Sequence, residues 1–388
     1  MLLLKYDIRG LLNKDIYPEL IDYLLKSFLR VVKTKKILLA SDFNKRNLII
    51  KNYFLTHYPN LFEDLKSLPS PIFYFYVINK KTPGIMLTAS HLPFNYVGLK
   101  FVLTDGTNWK PSKLKNFSSK SKFKKTDLKL SFNKELFEIY FQNLKKLFPK
   151  GKKFFVSFNT KNSFLKISLP YFRLLNVFQK PEADFFIDSD GDNDRIFIYY
   201  RKRKIIPDVI FYFLSLDRDY KKLGVPIYFS KFLEKKLISL GKKFFYIETG
   251  HINFKKAYKR YDLDLAFEPS GHFYFFKDLK TEAPYLALVK FLNIWNKDIE
   301  DFLINVKIRR FSLKLNKELN LKNLVIYLKN KFSLKSKEFD GFYLFDNKKN
   351  IFIHLRKSAT ENVLRISLEG DNLSNLLKEI KNVTTRNS

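Results

Sequence analysis

Apolar runs of strand length alternate with segments of helical period along almost the whole of this chain, and no other feature constrains its fold more. Strand-like runs fall at Lys36–Ala40, Ile85–Leu87, Lys153–Phe158, Ala183–Ile187, Pro226–Phe229, Lys243–Ile247 and Leu364–Leu368. Helical periodicity marks Pro18–Val32, Asn133–Leu147, Asp208–Leu216, Lys231–Leu240, Ala283–Asn293 and Leu373–Val383. Strands that alternate with helices return by crossovers, so an α/β protein with at least partly parallel sheets is expected. At 388 residues the chain exceeds one ordinary domain. Pro71–Ile78 (PIFYFYVI) is among the longest apolar runs and is strand-sized, far short of the roughly 18 residues that span a bilayer. Lys5-Tyr6-Asp7 ends the apolar start Met1–Leu4, so no signal-peptide core is expected. Without cysteine there is neither disulfide nor thiolate metal site, and a cytoplasmic location is the expectation.

The 72 Lys and Arg against 38 Asp and Glu give a formal charge of +34. Such a balance raises the question of nucleic acid. The lysines are scattered through every segment, however, and Phe, Lys, Asn, Ile and Tyr are abundant together, as under AT-rich codon usage. Scattered lysine is a solvated surface, so no specific nucleic-acid partner and no membrane are expected. The densest run, Arg201–Lys204, lies between Ile196–Tyr200 and Ile205-Ile206 and reads as a hairpin turn. Ser112–Lys129 and Asn296–Asp301 read as linkers or surface loops.

Four polar loops punctuate this pattern. In the first, the apolar strand at Ile85 runs into Thr88-Ala89-Ser90-His91, and Pro93 prevents its continuation. Ser90 therefore sits on an exposed turn, where a serine needs a base or a metal to become nucleophilic. No G-x-S-x-G elbow is present. In the second, Asp188–Arg195 (DSDGDNDR) follows the strand Ala183–Ile187. Asp190, Asp192 and Asp194 at alternate positions can converge on one ion, and oxygen ligands favour Mg²⁺. The EF-hand pattern is a poor fit, since position six from Asp190 is Arg195 and position twelve is Arg201. An aspartyl nucleophile at Asp188 or Asp190 is a rival reading. The third loop, Glu268-Pro269-Ser270-Gly271-His272, offers a carboxylate and a hydroxyl to sugar hydroxyls and a histidine to move protons. In the fourth, Arg356 precedes the hydroxyls Ser358 and Thr360, a pattern suited to a phosphate.

Together these loops resemble the α-D-phosphohexomutase superfamily, in the same order and over nearly the whole chain. The family's Tyr-Asp-Ile-Arg-Gly start is Tyr6–Gly10 here, and its T-A-S-H-N-P and Y-N-G-x-K elements read TASHLP and YVGLK. Its D-G-D-G-D-R loop corresponds to Asp190–Arg195, G-E-x-S-G-H to FEPSGH, and R-x-S-x-T to Arg356–Thr360. Lys231 and Thr249-Gly250-His251 match lesser elements. Departures are Leu92, Val97, Phe267, Pro269 and Asn362, and none removes a charged group.

The resemblance implies a phosphomannomutase/phosphoglucomutase activity through a phosphorylated Ser90, with Asp190, Asp192, Asp194 and the Ser90 phosphate binding Mg²⁺. It implies that Arg9, Lys100, Arg195 and His272 neutralise charge or shuttle protons, with Lys100 and His272 as acid and base. Glu268 and Ser270 would hold sugar hydroxyls, and Lys231, Thr249, Gly250 and His251 would line the cleft. Arg356, Ser358 and Thr360 would hold the phosphate that is not being transferred. The partners implied are hexose phosphates and hexose 1,6-bisphosphate, bound by a monomer. Phosphoglucosamine mutase is the alternative within the family, and a basic nucleic-acid-binding protein on a retired scaffold is the alternative outside it. The fold implied is three α/β domains with mixed sheets and a smaller C-terminal α+β domain around a central cleft. The expected bounds are 1–150 for the phosphoserine loop, 151–198 for the metal loop, 199–298 for the sugar loop and 299–388 for the phosphate-binding domain. Between Lys153–Phe158 and Ala183–Ile187 there is room for one helix only, so the second domain is expected to be trimmed.

Overall fold

Pro18–Val32 folds as the helix that its apolar period requires, with proline in its first turn and left-handed Lys33 closing its end on the Leu29 carbonyl. The computed structural model describes every residue except 1, 4–6, 91, 94, 112–120, 125–129, 149–150, 316–319, 359–361, 371–372 and 387–388. The described strands form four mixed or antiparallel sheets with helices between them. This is the multidomain α/β fold expected.

In the first sheet the fully buried strand Ile37–Ser41 runs parallel to Phe62–Ser67 and Gly84–Leu87. Tyr96–Val102 and Ile8–Leu11 extend the sheet antiparallel beyond Gly84–Leu87. The strand-sized run Pro71–Ile78 is instead part of a helix, Ser70–Lys80. Its residues Ser70–Phe75 and Val77 are all buried, so no polar face interrupts the run to reveal a helical period.

The second sheet has Phe154–Phe158 parallel to both Val177–Gln179 and Phe185–Asp188. The hairpin Phe197–Tyr200/Arg203–Lys204 completes it. Arg201 and Lys202, at φ +46° and +64°, make the two-residue turn. The basic run is therefore half turn and half strand. One α-helix, Ser163–Phe172, lies between the first two strands, followed by a 3₁₀ turn at Arg173–Leu175. The helices Lys134–Leu147 and Pro284–Ile294 add to the same core, where Tyr285 meets both Phe141 and Phe172. The other face of the sheet stays open to water: Phe155 is 50% and Phe186 37% exposed. Lys153 lies over the Phe155 and Phe178 rings.

The third sheet pairs Lys222–Val225 in parallel with Lys243–Tyr246 and Leu265–Glu268, then turns back through His272–Phe275 and Thr281–Glu282. The expected strand Pro226–Phe229 lies just past Lys222–Val225 instead, because Pro226 has no N–H for the ladder. Asn296–Asp301, expected as a loop, supplies the cap and first half of a helix, Lys297–Asn305, with the Asn296 side chain accepting from the Ile299 amide. The fourth sheet is antiparallel throughout, in the order Ile308–Lys314, Val363–Glu369, Ile351–Lys357, Phe342–Asp346, Lys335–Glu338.

One apolar cluster runs through the first three sheets, from Leu38 through Phe158 to Leu292. The fourth sheet has a core of its own around Leu328, Leu344 and Ile366. Charge joins it to the third. Arg310 grips the Asp208 carboxylate and donates to the Tyr228 carbonyl, and Glu369 accepts from Ser230 Oγ and the Lys231 amide.

Candidate active site

The strand Gly84–Leu87 delivers Thr88, whose amide bonds the Gly98 carbonyl and whose hydroxyl accepts from the Ser90 amide at 2.9 Å. Ser90 itself sits at φ +53°, a left-handed conformation that costs a non-glycine residue roughly 1–3 kcal/mol. The bend aims its Oγ at Asp190, donating to Oδ2 at 2.8 Å. A Cβ at Gly191 would lie 2.5 Å from the Ser90 carbonyl oxygen, so only glycine lets the two loops approach this closely.

Asp190, Asp192 and Asp194 place carboxylate oxygens within 4.8 Å of one another. Ser70, the first residue of the helix Ser70–Lys80, holds Asp192 twice: its Oγ donates to Oδ2 at 2.7 Å and its amide to the Asp192 carbonyl at 2.8 Å. Lys100 Nζ reaches Asp192 at 2.8 Å and Asp194 at 3.2 Å. Burial works against the Lys100 charge, but Asp192 and Asp194 outweigh it and hold the ammonium well above its ordinary value. Asp190 is pushed up to about 8 by burial and by the charges of Asp194 and Asp192. Among the described residues, the buried Asp192 Oδ1 finds no hydrogen-bond partner. Three crowded oxygen donors, one of them orphaned, fit a hard divalent cation such as Mg²⁺.

The surrounding cations come from three segments. His272, first in its strand, meets Asp194 Oδ1 through Nε2 at 3.1 Å and Ser270 Oγ through Nδ1 at 2.9 Å. Burial opposes its charge, yet Asp194 lifts it above its usual range. Arg195 Nε lies 3.5 Å from Asp190. Arg9 is fixed on Asp7 at 2.7 Å and donates to the Ala89 carbonyl at 2.9 Å, beside the serine turn.

The Glu268–His272 loop also borders a cavity of about 250 Å³, lined by Glu268, Ser270, Thr249, Arg310, Arg356 and Arg365 among others. Glu268 accepts from the Gly250 amide and from Tyr274 Oη, both at 2.8 Å. His251, where the helix His251–Tyr261 begins, is held well below its ordinary value by burial and by Lys255 and Lys100. The structure thus brings Ser90, Lys100, Arg195 and His272 onto the aspartate cluster, and Thr249, Glu268, Ser270 and Arg356 around the cavity, with Gly250 bonded to Glu268 behind it. Lys231 turns its ammonium to Glu234 at 2.6 Å and Tyr246 at 3.2 Å. Ser358 bonds the Val363 carbonyl through its amide, and Thr360 lies outside the described residues.

Sequence reasoning missed Ser70, Arg310 and Arg365. Ser70 had a usable signal, since Pro71 behind it marks a helix start. Arg365 had one too. It pairs directly with Arg356 across the hairpin that carries the fourth loop, so cross-strand counting places both on one face.

Two family models match the chain: phosphoglucomutase/phosphomannomutase alpha/beta/alpha domain I over residues 2–127, and domain III over residues 209–303. The phosphomannomutase of Methanocaldococcus jannaschii is 24% identical over 98% of this chain and 97% of its own. The phosphoglucosamine mutase of Dictyoglomus thermophilum is 25% identical over 97% and 94%. A phosphoglucomutase/phosphomannomutase family protein from Burkholderia thailandensis shares the fold with a TM-score of 0.75 at 17% identity, covering 98% of this chain and 95% of its own. The parafusin phosphoglucomutase of Paramecium follows at 0.67 and 16%, covering 94% and 88%. This chain therefore belongs to the α-D-phosphohexomutase superfamily, whose relatives here are named mutases.

Proposed function

We propose that this chain interconverts hexose 1-phosphate and hexose 6-phosphate, with mannose or glucose as the sugar, through a phosphorylated Ser90 and a hexose 1,6-bisphosphate. The observation that carries this reading is Ser90 Oγ at 2.8 Å from Asp190 within the three-aspartate cluster, while the adjoining sugar loop opens on a cavity with three arginines. One place suits a transferring phosphoryl group and the other an anchored phosphate.

In the forward step a sugar hydroxyl oxygen bonds to phosphorus as the bond from phosphorus to Ser90 Oγ breaks. His272 and Lys100 flank Asp194 and are placed to take the hydroxyl proton and return one to Oγ. The bisphosphate then turns over, and Ser90 Oγ takes the other phosphoryl group by the reverse exchange. Mg²⁺ on Asp190, Asp192 and Asp194 supplies charge neutralisation when bound. Lys100 and Arg195 spread the rest, and positioning does what remains. Glu268 and Ser270 read the sugar, and Arg356 with Arg365 anchors the far phosphate. Repulsion at +34 favours a monomer.

The Phe-Lys-Asp segment close after His272 and Tyr96 by the serine loop favour a phosphomannomutase/phosphoglucomutase over a phosphoglucosamine mutase, although both occur among the relatives. Mutase assays on mannose 1-phosphate, glucose 1-phosphate and glucosamine 1-phosphate with Mg²⁺ decide between them. Turnover of glucosamine 1-phosphate alone would shift the reading to the second.

A further inference from the structure

One carboxylate reaches both Arg356 of the arginine cavity and the Thr249 turn beside the Glu268–His272 loop. Asp340 occupies the tip of the hairpin between Lys335–Glu338 and Phe342–Asp346, at φ +49°, followed by Gly341 at φ +109°. A Cβ at 341 would lie 2.4 Å from the Leu355 carbonyl and 3.0 Å from Arg356 Cβ, so the tip is pressed onto the strand that carries Arg356. His354 Nε2 donates to the Asp340 carbonyl at 2.9 Å. A hairpin-tip aspartate ordinarily faces water, but this side chain is only 7% exposed.

Its two oxygens are divided between two domains. Oδ2 accepts from the Thr249 amide at 2.9 Å and from Thr249 Oγ1 at 2.5 Å, while Oδ1 lies 3.7 Å from Arg356 Nη1. With its hydroxyl proton committed to Asp340, Thr249 accepts from Tyr228 Oη at 2.9 Å. The next amide, Gly250, donates to Glu268 Oε1 at 2.8 Å. Glu268 Oε2 is 3.4 Å from His272 Nδ1, and His272 Nε2 is 3.1 Å from Asp194. A continuous line of polar contacts thus runs from the anchor arginine to the aspartate cluster.

We propose that Asp340 is a positioning residue for the mutase reaction. It aims the Arg356 guanidinium and fixes the Thr249–Gly250 turn, so that a phosphate anchored on Arg356 presents the sugar to Glu268 in register with Ser90. This rests on the phosphohexomutase reading above. Asp340 acts only through Arg356 and Thr249. Its own negative charge would repel a phosphate if those donors did not absorb it.

The full chain is compared as wild type, Asp340→Asn, Asp340→Ala, Arg356→Ala and the Asp340→Ala/Arg356→Ala double variant. Two readouts are taken: kcat and KM for glucose 1-phosphate with Mg²⁺, and calorimetric affinity for inorganic phosphate without divalent cation. Asp340→Ala should raise KM and weaken phosphate binding roughly 10-fold, as loss of a charge-assisted contact does. The double variant should fall short of the product of the two single effects, because part of the Asp340 effect runs through Arg356 and the rest through Thr249. Asp340→Asn keeps the shape and one acceptor, so it should fall between wild type and Asp340→Ala, and it carries the comparison if Asp340→Ala does not fold. Fully multiplicative effects in the double variant would overturn the proposal, and so would unchanged KM and phosphate affinity in Asp340→Ala. A wild type inactive on every hexose phosphate defeats the functional reading instead, while the phosphate-binding cycle still decides the role of Asp340.

Discussion

The two ends of the cleft manage charge in opposite ways. At the serine end three carboxylates converge with Ser90, and the Lys100 ammonium bridges two of them. At the anchor end Arg310, Arg356 and Arg365 line one cavity, and the aspartates beside them are already engaged by Arg310, Thr249 and Arg356. The first end gathers carboxylates around Ser90, and the second gathers guanidinium groups around a cavity. On the proposed reaction, a bisphosphate would meet chemistry at the first and grip at the second.

Substitutions should therefore separate by end. Ser90→Ala removes the covalent step, and turnover should fall at least 1000-fold; active wild-type protein should carry a fraction about 80 Da heavier that maps to Ser90. Phosphate found on Asp188 or Asp190 instead would hand the chemistry to an aspartyl nucleophile. Asp192→Asn should lower kcat about 100-fold and raise the Mg²⁺ concentration for half-maximal rate, with a smaller change in KM. An Asp192→Asn enzyme with normal metal dependence breaks the distinction at its first end. Arg356→Ala should do the reverse, raising KM roughly 10- to 150-fold while Ser90 still becomes phosphorylated. Unchanged kinetic constants there would reduce the fourth loop to a surface turn.

The smallest effect concerns pH at the anchor end. Burial holds His354 down at about 4, so the folded chain keeps it neutral while the unfolded chain protonates it near 6.5. Folding then loses stability as pH falls below about 6.5, by at most roughly 3 kcal/mol once pH reaches 4. His354→Gln should flatten that slope in denaturant titrations at pH 7 and pH 5. Equal slopes would mean that His354 is neutral for another reason.

Much of this was legible before any coordinates. Asp188–Arg195 announces itself because four aspartates crowded into the seven positions 188–194 of a basic chain repel one another without a cation. The single α-helix Ser163–Phe172 between Phe154–Phe158 and Phe185–Asp188 was legible by counting residues between strands. The helix Ser70–Lys80 was not, since burial of Ser70–Phe75 and Val77 leaves that run no polar face to betray its period. The helix Lys297–Asn305 failed the opposite way, its polar opening reading as a loop although Asn296 is a serviceable cap. Asp340 could not be singled out. Asp-Gly marks a tight turn, and nothing local says that the turn folds back onto Arg356 and Thr249.

The open face of the second sheet has a consequence for how copies of this protein meet. Half-exposed Phe155 and Phe186 present a flat aromatic surface, the kind that two sheets bury against each other at about 10 Å. The formal charge of +34 works against such contact, since like charges repel. That barrier reaches about 10 Å at 0.1 M salt and only about 3 Å at 1 M. Contact through Phe155 and Phe186 would therefore be opposed most at low ionic strength and least where salt screens the charge.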